Sequence, residues 1–155
     1  MAKQRKQPSS RGARKGKAQV AVSRIEQHHV DAFTELGADW ADRATSLLRS
    51  RTEGTGFGLA VTVDGEAAGL VGVRFGEPWE LHDLHVHPDR RGQGIGTRLV
   101  TAVEELARLT GSLRVMVGLD NQDARRLVQR LGYQATGELQ TSTYTHLDDD
   151  GTPHQ

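Results

Sequence analysis

Val86-His87-Pro88-Asp89-Arg90-Arg91-Gly92-Gln93-Gly94-Ile95-Gly96-Thr97 decides the reading of this 155-residue chain. The stretch joins a predicted strand to a predicted helix through a turn with almost no side chains. Glycine at every second position from 92 to 96 lets the backbone approach a ligand closely. The first-turn N–H groups of the following helix have no intrahelical partner, and Arg90 and Arg91 add positive charge, so the turn suits a phosphate. Two familiar phosphate loops do not match. A dinucleotide fingerprint needs glycine where Thr97 stands, and a Walker loop needs Gly-Lys-Ser or Gly-Lys-Thr, which the chain lacks.

Before the turn, Leu81-His82-Asp83-Leu84-His85-Val86 reads as a strand; after it, Ile95, Leu99, Val103, Leu106 and Ala107 recur at helical spacing. Leu113-Arg114-Val115-Met116-Val117 reads as a second strand, followed by Asn121-Gln122-Asp123-Ala124 and by Leu131-Gly132-Tyr133. In this order the segments resemble the GNAT superfamily of acyl-CoA-dependent N-acetyltransferases. Arg91-Gly92-Gln93-Gly94-Ile95-Gly96 meets that family's Arg/Gln-x-x-Gly-x-Gly/Ala pyrophosphate signature, with Arg91 in first place. The preceding strand ends in its Leu-x-Val-x-Pro pattern, and Asn121 to Tyr133 resembles its second signature, an Asn-x-x-Ala helix closed by Gly-Phe or Gly-Tyr. The resemblance covers residues 19 to 147 and is specific from 80 to 138.

Size and composition agree with one domain and exclude several classes of function. A chain of 155 residues can bury a real core once, not twice. There is no cysteine, hence no disulfide framework, no thiolate metal site and no thiol nucleophile. No segment approaches the ~20 apolar residues that span a bilayer, and nothing near the start resembles an apolar signal region, so a cytoplasmic protein without membrane contact is expected. Charge balances overall but not locally. Residues 1 to 18 carry seven cations and no acid, including all four lysines, which leaves 13 arginines against 20 acids in the remainder. With Pro8, Ser9, Ser10, Gly12 and Gly16 and few apolar residues, this basic arm is expected to be disordered in isolation. A nucleic-acid or ribosome contact through it stands against a solvated tail. The tail is favoured, because no aromatic residue is interleaved to stack on bases.

Along the rest of the chain, Gln19 to Ile25 alternates as a first strand, and a helix through Val30, Phe33 and Leu36 ends at Gly37. A second helix is predicted from Asp39, as N-cap, through Trp40, Ala44, Leu47 and Leu48 to Arg51. Phe57 to Val63 and Ala67 to Phe75 form a hairpin on the type I′ turn signal Asp64-Gly65. Strand, two helices, hairpin, strand, helix, strand, helix, strand is an α/β order with a mixed, mostly antiparallel sheet flanked by helices, and it is also the order of the GNAT fold. Domain limits of 19–147 follow, with 148–155 as an acidic flexible tail. Thr141 to Leu147 is the one segment left for a last strand; otherwise that strand is missing.

The resemblance implies a mechanism. A neutral amine attacks the thioester of acetyl-CoA directly, with no covalent enzyme intermediate and no metal. Leu84, Val86, Arg91, Gly92, Gln93, Gly94, Ile95, Gly96, Thr97 and Asn121 are implied to hold the cofactor, with the Val86 main chain polarising the carbonyl and Asn121 touching the pantetheine arm or a helix-organising water. Because an amine of pKa ~10.4 is protonated near neutrality, a base is needed. Family members place Glu or His four or six residues before the valine that Val86 matches, where this chain has His82 and Glu80. Alternation puts Glu80, His82, Leu84 and Val86 on one face and Asp83, His85 and His87 on the other. His82 is then the base and Glu80 its orienting partner. A metal held by Asp83, His85 and His87 is the disfavoured alternative, and His87 is expected in the turn. The tyrosine that many relatives use to protonate the leaving thiolate is replaced by Val128, Tyr133 is expected in the core, and Tyr144 is a weak substitute.

For the acceptor, Asp39, Trp40, Asp42, Glu53, Trp79 and Asp148 to Asp150 suit a small cationic amine. A protein or ribosomal-protein acceptor, a non-catalytic acyl-CoA-binding module and a homodimer stay open.

Overall fold

The computed structural model describes residues 18–135 and 141–146. The expected basic arm, apart from its last residue Ala18, and the expected acidic tail lie outside the described residues. The elements run β1 (Val20–Arg24), α1 (Gln27–Thr34), α2 (Ala38–Glu53), β2 (Gly56–Val63), β3 (Glu66–Arg74), β4 (Trp79–Val86), α3 (Ile95–Ala107), β5 (Leu113–Gly118), α4 (Gln122–Arg130), β6 (Tyr133–Ala135) and β7 (Thr141–His146). They form one seven-stranded sheet in the order β1-β2-β3-β4-β5-β7-β6, antiparallel throughout except where β4 meets β5. The last strand exists as Thr141–His146 and inserts between β5 and β6. No helix among the described residues is long and apolar enough to cross a membrane.

Period-2 alternation along β2 sends Phe57, Leu59, Val61 and Val63 to one face, where they pack with Leu99, Val100 and Val103 of α3 and Leu127 and Val128 of α4. The other face is covered by α1 and α2 through Val30, Phe33, Ala44 and Leu47. Asp64 and Gly65 both take positive φ, 52° and 83°, the type I′ geometry that this pair favours.

Three expectations are corrected. The N-cap of α2 is Gly37 at φ 131°, while Asp39 sits in the first turn, where its carboxylate complements the helix dipole. Leu106 is exposed, because Ile95, Leu99, Val103 and Ala107, at steps of four, fill the inward stripe of α3 without it.

The third correction concerns the face alternation along β4. Leu70 pairs with His85 but Gly72 pairs with His82, so Asp83 and Leu84 together oppose Val71 alone, and Asp83 takes a left-handed φ of 55°. This is a β-bulge. Leu81 and Leu84, three residues apart, consequently both enter the core beneath α3. Leu84 therefore does not share a face with His82, and His82 and His85 both turn toward α2: a Cβ on Gly72 would meet Leu47 Cδ2 at 2.5 Å and His82 Cε1 at 2.6 Å, and the His85 ring lies 6.2 Å from that of Trp40.

Candidate active site

β4 and β5 pair only at Trp79–Leu81 with Leu113–Val115. Beyond Leu81 the two strands part, and the second half of β4 keeps a partner on its β3 side alone. The His87 N–H donates to Ala68 O at 2.8 Å on that side. Alternation of backbone direction therefore turns the Val86 N–H away from β3, toward the gap. Asn121, the N-cap of α4, spans the gap: its Oδ1 accepts from Ala124 N at 3.2 Å, and its Nδ2 donates to Leu84 O at 3.1 Å.

The phosphate turn closes the same gap from the front. After a single 3-10 turn at Pro88–Arg90, Gly92 and Gly94 adopt φ 78° and 77°, which a residue with a Cβ rarely takes. Gly94 caps α3 with no side-chain hydrogen bond, and Arg98 N–H is the first to bond back to Gly94 O. The N–H groups of Ile95, Gly96 and Thr97 therefore lack an intrahelical acceptor. Gly96 has a packing reason as well, since a Cβ there would come 2.5 Å from Leu127 Cδ2 of α4.

A cleft of about 320 Å³ results, walled by β4 from Leu84 to Val86, by the turn and the start of α3, and by α4. Leu84, Val86, Arg91, Gly92, Gly94, Ile95, Gly96, Thr97 and Asn121 line it, so nine of the ten residues expected at the cofactor come together. Gln93 does not, and its side chain reaches back to Asp89 O at 3.5 Å. Arg126 and Arg130, which sequence reasoning missed, add charge from α4; their spacing of four on one helix was the available signal. Arg91 bonds to Asp123 across the cleft at 2.9 Å, and Arg90 is held by Glu66 at 2.8 Å. Uncapped helical N–H groups beside arginines form a donor set for a diphosphate.

A second cleft, about 460 Å³, opens between the α1–α2 connection and the end of β4, lined by Leu36, Asp39, Trp40, Arg43, Pro88 and others. The two clefts share His85, Val86 and Arg91. Trp40 stacks on Phe33 with ring centroids 5.7 Å apart, and Arg43 lies over its ring. Of the other residues expected near the acceptor, Trp79 packs with Phe57 and Phe75 at the opposite end of β4, and Glu53 ends α2 far along the helix. Asp148 to Asp150 lie outside the described residues.

Glu80 and His82 line neither cleft. The Glu80 carboxylate is taken by Arg74, with Arg114 at 3.9 Å, and not by His82. The carboxylate near His82 is Asp83, whose Oδ2 lies 3.5 Å from His82 Nδ1 and whose Oδ1 lies 3.8 Å from His85 Nε2. Hydrogen bonding with His82 first, then His85, holds the Asp83 carboxyl well below the usual carboxylate range. The signal that sequence reading lacked was the bulge. His87 sits in the turn, its Nδ1 accepting from Asp89 N at 3.2 Å. Val128 is buried, and Tyr133 is a core residue whose hydroxyl donates to Glu104 Oε2 at 2.6 Å, so burial and that carboxylate raise its pKa.

The family model described as the acetyltransferase (GNAT) family matches residues 22–133. An uncharacterized N-acetyltransferase of Methanocaldococcus jannaschii is 39% identical over 57 residues, 36% of this chain, and the chain spans only 25% of that relative's length in the match. The PaiA N-acetyltransferase of Thermoplasma acidophilum, solved with coenzyme A, superposes with a TM-score of 0.66 at 12% identity, covering 81% of this chain and 97% of the other. A Salmonella typhimurium acetyltransferase that modifies the N-terminal serine of ribosomal protein L7/L12 does so with a TM-score of 0.64 at 13% identity, covering 81% and 91%.

Proposed function

Because the chain belongs to the GNAT acetyltransferase family, we propose that it transfers an acetyl group from acetyl-CoA to a primary amine by direct attack within a ternary complex. The observation that carries this reading is the meeting of two clefts at the unpaired end of β4, one built for a diphosphate and the other open to an acceptor.

Ile95, Gly96 and Thr97 N–H groups with Arg91, Arg126 and Arg130 hold the diphosphate of acetyl-CoA. Leu84 and Val86 supply the unpaired strand edge along which its pantetheine arm lies. Asn121 has both side-chain groups engaged by protein and acts as the strut that keeps Leu84 O and α4 in place. The Val86 N–H, aimed into the gap, stabilises negative charge on the thioester oxygen as the amine nitrogen bonds to carbon. Sulfur departs with the electron pair of the C–S bond. A thiol of pKa ~8.5 is a tolerable leaving group without a dedicated acid, consistent with Val128 in the tyrosine position.

The acceptor is a small amine with an apolar or aromatic body, laid on Trp40 with Asp39 near its charge. A protein N-terminus is the second reading, supported by the openness of this cleft and by the substrate of the Salmonella relative. Acetyl-CoA calorimetry, followed by thiol release over a panel of amines and peptides with products identified by mass spectrometry, tests both. Binding with no release across the panel leaves a non-catalytic acyl-CoA module. The absence of binding removes the proposal.

A further inference from the structure

The bulge in β4 sets one carboxylate between two imidazoles, an arrangement that alternation along a regular strand forbids. Asp83 holds a left-handed φ of 55°, which strains a residue with a Cβ and persists only where surroundings enforce it. The enforcement is visible. Leu81 and Leu84 on either side are locked into the core beneath α3, and His82 lies over Gly72, whose missing Cβ leaves the space that His82 and Leu47 border. With both neighbours fixed, the Asp83 side chain is left between the two rings.

We propose that His85 takes the proton from the attacking amine, that Asp83 is its positioning residue, and that His82 secures the far oxygen of that carboxylate. The inference rests on the acetyl-transfer reading above. His85 lines both clefts and adjoins Val86, whereas His82 lines neither. Its Nε2 lies 3.8 Å from Asp83 Oδ1, where the carboxylate favours the tautomer with the ring proton on Nε2 and the lone pair on Nδ1. As the N–C bond forms and the C–S pair leaves on sulfur, the amine proton passes to Nδ1, directly or through water. The resulting imidazolium is balanced by the ionised Asp83 and returns its proton to solvent through the open acceptor cleft.

The other polar groups around His85 do not replace Asp83. Trp40 presents its ring from α2, where Asp39 is exposed and Arg43 lies over the indole. Arg91 from the turn is paired with Asp123, His87 is occupied by Asp89 N, Asn121 from α4 is neutral, and Leu70 opposite on β3 is apolar. Among the described residues, Asp83 is the carboxylate within ion-pair distance of His85.

The test uses the full chain with three variants: His85→Ala, Asp83→Gly, which keeps a backbone at ease with positive φ, and His82→Gln, which keeps a donor. Nitrogen-15 shifts of the histidine rings in the unliganded protein should show His85 with its proton on Nε2 in the wild type, and a mixture of tautomers in Asp83→Gly. His85→Ala should lower kcat by about 10²- to 10⁴-fold and abolish the acidic limb of the kcat/KM profile. Asp83→Gly should lower kcat less and move that limb to lower pH, since a negative charge beside the ring is gone. His82→Gln, which changes only the contact to the far oxygen of Asp83, should lower kcat less than Asp83→Gly does and leave the His85 tautomer as in the wild type, and calorimetric affinity for acetyl-CoA should be unchanged in Asp83→Gly and His82→Gln. A His85→Ala enzyme that keeps its rate and acidic limb overturns the proposal, as does a His85 tautomer indifferent to Asp83. A wild-type chain that binds acetyl-CoA but acetylates no amine sinks the acetyl-transfer reading instead, and the tautomer result then still decides whether Asp83 positions His85.

Discussion

Asn121 Nδ2 donates to the Leu84 carbonyl at 3.1 Å, a side-chain bond that stands where a backbone ladder between β4 and β5 would otherwise run. The same side chain caps α4 through Ala124 N. One residue thus holds the gap open at a fixed width and fixes the helix that forms its far wall.

Replacing Asn121 by aspartate separates these two roles, because the carboxylate keeps the cap acceptor but sets a second oxygen against Leu84 O. We expect Asn121→Asp to lose about 1–3 kcal/mol for the unpaired carbonyl, read as a lower urea midpoint, together with reduced kcat. Asn121→Ala should lose about 1 kcal/mol more from the missing cap. Equal midpoints for wild type and Asn121→Asp would show that the bond to Leu84 does not support the gap.

Arg91 bonds to Asp123 from opposite sides of the cofactor cleft, at 2.9 Å and with both side chains half exposed. An exposed pair of this kind adds little to stability, so its weight falls on ligand charge. Arg91→Glu should raise the Kd for acetyl-CoA about tenfold or more, the loss of a charge-assisted bond plus a repulsion with Asp123. Asp123→Asn, which frees Arg91, should leave the Kd equal or lower. Calorimetry on the two variants decides it, and a weaker Asp123→Asn would mean that Asp123 places Arg91 instead of competing for it.

Much of this site was legible in the sequence because its chemistry lies in main-chain geometry. Glycines at 92 and 94 mark positive φ, an Asn before a helix marks a cap, and the order of strand, turn and helix places them around one cleft. What could not be read was the register of β4. Period-2 counting assumes a regular strand, and a single extra residue at Asp83 reverses every face assignment after it. That one residue moves His85 beside His82 and sends Leu84 into the core. Nothing in Leu81-His82-Asp83-Leu84-His85 announces the bulge, since Asp83 takes its left-handed φ where glycine would be the usual marker. Glu80 illustrates a second gap: the arginines that hold it, Arg74 and Arg114, come from β3 and β5 and meet it only through strand pairing.

Gly96 and Leu127 meet where α3 packs on α4, and an added Cβ at position 96 would fall 2.5 Å from Leu127 Cδ2. Leu127 is itself 8% exposed, and the free space beside it is the cofactor cleft that it helps to line. Gly96→Ala should therefore destabilise by about 1 kcal/mol through overpacking and weaken acetyl-CoA binding by turning Leu127 into the cleft. Adding Leu127→Ala should recover part of the loss caused by Gly96→Ala, a coupling that a double-mutant cycle on thermal midpoints would detect. Strictly additive effects would place the constraint at Gly96 elsewhere than Leu127.

His29 supplies a pH dependence separate from the active site. It is 6% exposed, its Nδ1 accepts from Glu26 N at 2.9 Å, and its Nε2 lies 3.1 Å from Ser23 Oγ. Accepting at Nδ1 requires a lone pair there, so the ring is neutral with its proton on Nε2. Burial lowers its pKa, the neighbouring His28 lowers it further, and Glu26 opposes both. An unfolded histidine titrates near ~6.5, so from that pH downward the unfolded chain binds a proton that folded His29 resists. Its contribution is thus complete above about pH 6.5 and is lost as pH falls toward the depressed folded value. His29→Gln keeps an acceptor for Glu26 N, as glutamine does at the third position of a capping box, and removes the titration. The thermal midpoint of the wild type should therefore fall more steeply than that of His29→Gln on going from about pH 7.5 to about pH 5.5. The remaining histidines are common to both proteins, and parallel falls would exclude His29 as a source of the acid sensitivity.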